Sequence, residues 1–186
     1  HPDFLTNGLI YVVYNYTAGG NYLEKVVRFR FDNISLIEPV TIIDNIPASN
    51  IHNGSRLLIS AGADPKLFIT TGDASNAAQA QNTGSLSGKV LRLNLDGSIP
   101  ADNPIVGSPI WSLGHRNPQG LVEANGLMYA SEHGPNVEDE LNIIEKCRNY
   151  GWPSVTGPCN GGEADFCAAN TVKEPIWSTG SVTLAT

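Results

Sequence analysis

The chain has 186 residues, the size of one domain or of a piece of a larger one, and a formal charge of −7. Its 11 Lys and Arg are scattered rather than gathered into a patch, which argues against a nucleic acid or an anionic membrane surface as partner. No apolar run approaches the ~20 residues that a membrane-spanning helix needs, and 19 Gly with 12 Pro favour short strands and turns over long helices.

The sequence opens on His1-Pro2-Asp3-Phe4 without an initiator Met, as a processed chain or a section of a longer one would. Residues 8–16 (GLIYVVYNY) are β-branched and aromatic and predict a strand. After the Ala18-Gly19-Gly20-Asn21 turn, residues 25–32 (KVVRFRFD) predict a second strand, and residues 40–46 a third that stops at Pro47. The pattern then restarts. Strands at 56–60 and 66–71 (KLFITT) flank the Ala63-Asp64-Pro65 turn, a polar loop covers 72–87, and a strand spans 88–96 (GKVLRLNLD). A third pass runs from Ile110 through 121–123, an Asn125-Gly126 turn, 127–131 (LMYAS) and 141–145 (LNIIE). Asn-Gly between apolar runs is a strong hairpin signal.

These passes repeat. Leu9, Leu67 and Leu127 hold matching places about every 60 residues, and Lys25-Val26-Val27-Arg28-Phe29 matches Lys89-Val90-Leu91-Arg92-Leu93. A unit of about four short strands at a fixed period predicts an all-β fold of the β-propeller type, each blade carrying an inserted loop. Chance likeness among short apolar runs, as in a sandwich, is the competing explanation. About three blades are visible, fewer than the ~4–8 that close a ring. Residues 1–186 therefore read as one partial propeller domain. Open blade faces and strand edges predict self-association of the isolated chain as a homo-oligomer.

Cys159 and Cys167 lie close in a Gly-rich loop and could close a small disulfide suited to an oxidising compartment, leaving Cys147 over; three free thiols is the alternative. Asn15, Asn33 and Asn53 each begin an Asn-x-Ser/Thr sequon.

The stretch from Gly114 to Pro153 gathers the reactive groups. Arg116, Asn117 and Gln119 join a guanidinium fork to two amides between strands, a set that recognises a planar ligand bearing carboxylates or carbonyls. His133-Gly134-Pro135 forms a sharp turn that points carbonyls outward, with Asp139 and Glu140 close by. Such hard oxygen donors suit calcium; the spacing is not that of an EF-hand loop, and no His-Glu-x-x-His or paired Cys-x-x-Cys argues for zinc. His52, in a turn before a strand, is a candidate general base, since imidazole titrates near ~6.5. Plainer readings of the same residues are a surface histidine, loop amides tied to backbone and a solvated acidic face.

Taken together, the motifs resemble the soluble PQQ-dependent sugar dehydrogenases of the glucose/sorbosone dehydrogenase family. The likeness is carried by His1-Pro2-Asp3-Phe4, Ile51-His52-Asn53-Gly54, the run from Gly88 to Pro100, Gly114-His115-Arg116-Asn117-Pro118-Gln119-Gly120 and Glu132-His133-Gly134-Pro135. Asp139-Glu140-Leu141-Asn142 and Asn149-Tyr150-Gly151-Trp152-Pro153 continue it in family order, and beyond Cys159 it fades. The forms around His52 and His133 resemble the broad-specificity aldose branch rather than the glucose-oxidising one.

The resemblance implies a six-bladed propeller that binds PQQ beside Ca²⁺ and oxidises an aldose sugar to its lactone, passing electrons to an artificial or protein acceptor. It implies a secreted, periplasmic or cell-surface location. His52 looks like the catalytic base. Arg116 looks both catalytic and cofactor-binding, joined at the cofactor by Asn117, Gln119 and His133. Gly134 and Pro135 look like calcium ligands through their carbonyls, supported by Asp139, Glu140 and Tyr150. A non-catalytic calcium-binding propeller and a sugar-lactone hydrolase on a similar propeller are the alternatives.

Overall fold

A computed structural model describes residues 1–182; the last four positions of the expected 1–186 domain lie outside the described residues. Three antiparallel sheets follow one another along the chain. The first holds β1 (Leu9–Ala18), β2 (Asn21–Phe31) and β3 (Leu36–Pro47). The second holds β4 (Gly54–Ile59), β5 (Lys66–Thr71), β6 (Lys89–Asn94) and β7 (Ile110–Leu113). The third holds β8 (Pro118–Ala124), β9 (Leu127–Glu132), β10 (Glu140–Ile143) and the short β11 (Trp177–Ser178). In each sheet, strands adjacent in sequence pair with one another, as in the blades of a β-propeller.

The side-chain alternation of the second sheet explains the stacking. Leu67, Ile69, Leu91, Leu93 and Ile110 pack with Val26, Ile42 and Ile46 of the first sheet. The intervening Phe68 and Val90 face the other way, onto Ala130, Ile144 and Tyr150 of the third-sheet region. β5 is therefore buried along its whole length, the polar Lys66, Thr70 and Thr71 included, and KLFITT lacks the apolar–polar alternation of a half-exposed strand. Each fully buried Leu or Ile contributes about 1.5–3 kcal/mol through this burial. The middle blade thereby fixes its two neighbours in place.

The repeat seen in the sequence is structural. β5 and β9 are both second strands, and the pairing of β2 with β1 mirrors that of β6 with β5. One boundary differs from expectation. Ile110 begins no third unit: β7 pairs with β6, Leu113 opposite Lys89, and closes the second sheet. Its buried Ile110 belongs to the core between the first two sheets. Sequence patterning also missed the 3₁₀ turn Ala77–Gln81, β11 and a short helix, α1 (Ala164–Asn170). The Cys159–Cys167 disulfide forms, and Cys147 is free and exposed.

Candidate active site

His52 sits in the turn entering β4, with its backbone in the left-handed region at φ 59°. Few side chains accept that conformation without support, and here the support is explicit. Asn53 clips the turn by accepting from Ser49 N at 2.8 Å and donating to Ser49 O at 2.9 Å. Asn117 Oδ1 accepts from Gly54 N at 3.0 Å. The His52 carbonyl lies against Gly72, where a Cβ would meet it at 1.8 Å, so this position has no room for any side chain.

Behind the imidazole stands Asp73, 2% exposed, with Oδ1 at 2.9 Å from His52 Nδ1. Its other oxygen accepts from Trp152 Nε1 at 2.9 Å, and its backbone N donates to Arg116 O at 2.7 Å. A carboxylate fixed on Nδ1 orients the ring and favours a proton arriving at Nε2. Asp73 went unnoticed in the sequence, since nothing local ties it to a histidine 21 residues earlier.

Glu132, at the end of β9, organises the second group. Its Oε1 accepts from the backbone N of Arg116 and, at 3.2 Å, of Asn117; its Oε2 meets His115 Nδ1 at 2.9 Å. The Gly114–Gln119 segment is thus shaped around one buried carboxylate. The Arg116 guanidinium lies 5.4 Å from the Trp152 ring and donates to His133 O at 3.3 Å, while its buried Nε has no partner among the described residues. Burial lowers its pKa, and the charges of Asp73, Glu132 and Asp139 act in the opposite sense.

The His133-Gly134-Pro135 turn is held by Asp139, whose Oδ1 accepts from Gly134 N at 2.9 Å and lies 3.6 Å from His133 Nδ1. His133 Nε2 meets Gln119 Oε1 at 3.0 Å. A Cβ on Gly134 would meet Val137 O at 1.8 Å, so the tight turn requires glycine there. Glu140 accepts from Gly157 N and Asn142 Nδ2, each at 2.9 Å, and burial followed by the charge of Glu132 pushes its carboxyl up to about 7. Tyr150 has its hydroxyl engaged by backbone atoms. Its hydroxyl donates to Ile143 O at 2.5 Å and accepts from Glu145 N at 2.9 Å, and its ring stacks on His115 with centroids 4.5 Å apart.

A cleft of about 560 Å³ brings together His52, Asn117, Gln119 and His133, with Asn15 and Ser55 also on its wall. Arg116, Gly134, Pro135, Glu140 and Tyr150 line an adjoining hollow with Glu132 and Trp152, and Asp139 lines a third with Gln119 and Glu140. His133 borders all three. Among the described residues no group of three or more His, Cys, Asp and Glu side chains is placed to hold a metal.

The chain matches the family model described as Glucose / Sorbosone dehydrogenase over residues 1–182. It belongs to the glucose/sorbosone dehydrogenase family. The match continues past Cys159, beyond which the likeness of the motifs fades. Quinoprotein glucose dehydrogenase B of Acinetobacter calcoaceticus is 39% identical over 188 residues, covering 84% of this chain and 39% of that protein. Aldose sugar dehydrogenase YliI of Escherichia coli is 33% identical, covering 86% of this chain and 46% of that one. The PQQ-bound form of aldose sugar dehydrogenase from Streptomyces coelicolor superposes with a TM-score of 0.80 at 34% identity, covering 96% of this chain and 51% of that one. The chain thus spans about two fifths to half of these three relatives.

Proposed function

We propose that the full-length protein oxidises an aldose sugar at the anomeric carbon to its lactone, using PQQ with Ca²⁺ beside it. The observation that carries this reading is the Asp73-backed His52 on the wall of one cleft with Asn117, Gln119 and His133. The names of the relatives, a quinoprotein glucose dehydrogenase and a PQQ-bound aldose sugar dehydrogenase, support the cofactor and the substrate class.

The residues fit a planar, anionic quinone. Arg116 brings a half-buried guanidinium whose Nε is buried and unpartnered among the described residues, and Asn117 brings an amide anchored by Gly54 N. When bound, PQQ supplies the two-electron acceptor for the anomeric hydride. His52 takes the proton of the anomeric hydroxyl at Nε2, and Asp73 stabilises the imidazolium that results. Arg116 and Asn117 offer positive charge and a polar group where negative charge develops. Gln119 and His133, bonded to each other, shape the wall that orients the sugar.

The hollow beside the turn fits a hard cation in the chemistry of its donors. The buried Glu132 and the half-buried Glu140 line it with Gly134 and Pro135, whose peptide oxygens would be further hard donors. A divalent ion would be held by those carbonyls with Glu140, while Asp139 fixes the turn. The disulfide supports an oxidising location such as the periplasm or the cell exterior, and no helix among the described residues is long and apolar enough to cross a membrane. Reduction of an artificial dye tests the reading. Full-length protein given PQQ and Ca²⁺ is expected to reduce it with aldoses and to release lactone. PQQ binding without aldose-dependent reduction would overturn the assignment.

A further inference from the structure

We propose that Asn15, Glu24 and Ser55 form a subsite for a sugar hydroxyl remote from the anomeric carbon, in which buried Glu24 sets the direction of the Ser55 hydroxyl. This rests on the aldose reading above and adds a recognition element to it.

The first observation is register. Asn15 on β1 lies directly opposite Glu24 on β2, and residues opposite one another across antiparallel strands point to the same face. Asn15 and Ser55 line the cleft that holds His52, so Glu24 is directed to the cleft side of the first sheet. The second is an orphaned oxygen. Glu24 is 1% exposed; its Oε2 accepts the Ser55 hydroxyl, and its Oε1 has no partner among the described residues. A buried carboxyl without its full set of hydrogen bonds costs stability, and the register partner of Glu24 on β3 is the apolar Ile46. Packing gives no reason for an acid here.

The backbone supplies a third observation. Ser55 has φ 63°, a conformation in which glycine is the cheaper residue. A side chain kept at that cost is explained by what its hydroxyl does. With Glu24 ionised, Ser55 spends its proton on the carboxylate and turns lone pairs to the cleft; with Glu24 neutral, the Ser55 proton is released for the cleft. Burial raises the carboxyl to about 7 against the opposing Ser55 hydrogen bond, so both states are accessible near neutrality. Beside it, the Asn15 amide offers both a donor and an acceptor. A sugar hydroxyl, itself both donor and acceptor, is the matching ligand.

The test uses full-length protein loaded with PQQ and Ca²⁺, with D-glucose, D-galactose, D-mannose and D-xylose as probes. Ser55→Gly removes the hydroxyl while suiting the backbone, and Glu24→Gln keeps the shape of the acid. Each is expected to raise KM for at least one sugar about three- to tenfold, with kcat within about twofold and a changed ranking among epimers. The double variant is expected to be no worse than the worse single one, because the two residues act as a unit. Unaltered KM values and ranking, with only the melting temperature moved, would overturn the subsite and leave the aldose reading intact. Should the wild type oxidise none of the four sugars, the aldose reading fails. Calorimetric titration of the unloaded protein with the same sugars then decides the subsite: binding weakened about threefold or more by Ser55→Gly supports it, and equal or undetectable binding overturns it.

Discussion

Two histidines in this chain are held in the same way and placed differently. His52 and His115 each present Nδ1 to a buried carboxylate at 2.9 Å, Asp73 for the one and Glu132 for the other. His115 is fully enclosed, its Nε2 bonded to Ser112 Oγ at 2.9 Å and its ring stacked on Tyr150. The His52 side chain is 18% exposed and lines the cleft. An acid–imidazole pair is therefore not in itself a catalytic device; access to the second ring nitrogen separates a base from a strut. Glu132 illustrates the structural use, since it also gathers the backbone of Arg116 and Asn117.

Substitutions sharpen that contrast. Glu132→Gln is expected to cost about 3 kcal/mol of stability, because a buried hub loses an ionic partner of His115 and of two backbone donors. Thermal or denaturant unfolding measures this, and a loss under about 1 kcal/mol would place the strut elsewhere. Asp73→Asn keeps an acceptor for Trp152 and removes the charge behind His52. Its expected effect is a fall in kcat of about tenfold to a hundredfold with folding retained. Equal losses of stability in the two variants would erase the distinction between the two regions.

Glu24 gives a smaller effect with a definite sign. Its folded pKa of about 7 stands above the ordinary 4.5, through burial first and against the Ser55 hydrogen bond. The folded chain holds that proton more tightly than the unfolded one, so stability declines as pH rises from about 4.5 through about 7. The decline amounts to at most about 3 kcal/mol. Glu24→Gln is expected to flatten this part of the stability profile, and a profile identical to wild type would contradict the burial of an ionisable group there.

Much of this architecture is legible in the letters. The Leu67-Phe68-Ile69 run within KLFITT, alternation in the later half of KVVRFRFD and the Asn125-Gly126 turn mark strands and hairpin because those patterns answer local requirements. β7 was assigned to the wrong sheet because four residues after a long loop carry no sign of which neighbour they pair with. The candidate base, the Arg116–Asn117 pair and the His133-Gly134-Pro135 turn stood out as polar groups in turns. Asp73 did not, and Glu132 was legible only as part of a motif, since their partners are set by the packing of separate strands.

The most direct test of the account is single-turnover reduction of PQQ by an aldose in full-length His52→Gln, followed by absorbance at pH 7. Cofactor binding within about threefold of wild type is expected, with the reduction rate lower by about 10²–10⁴. A rate within about threefold of wild type would contradict the claim that His52 takes the proton.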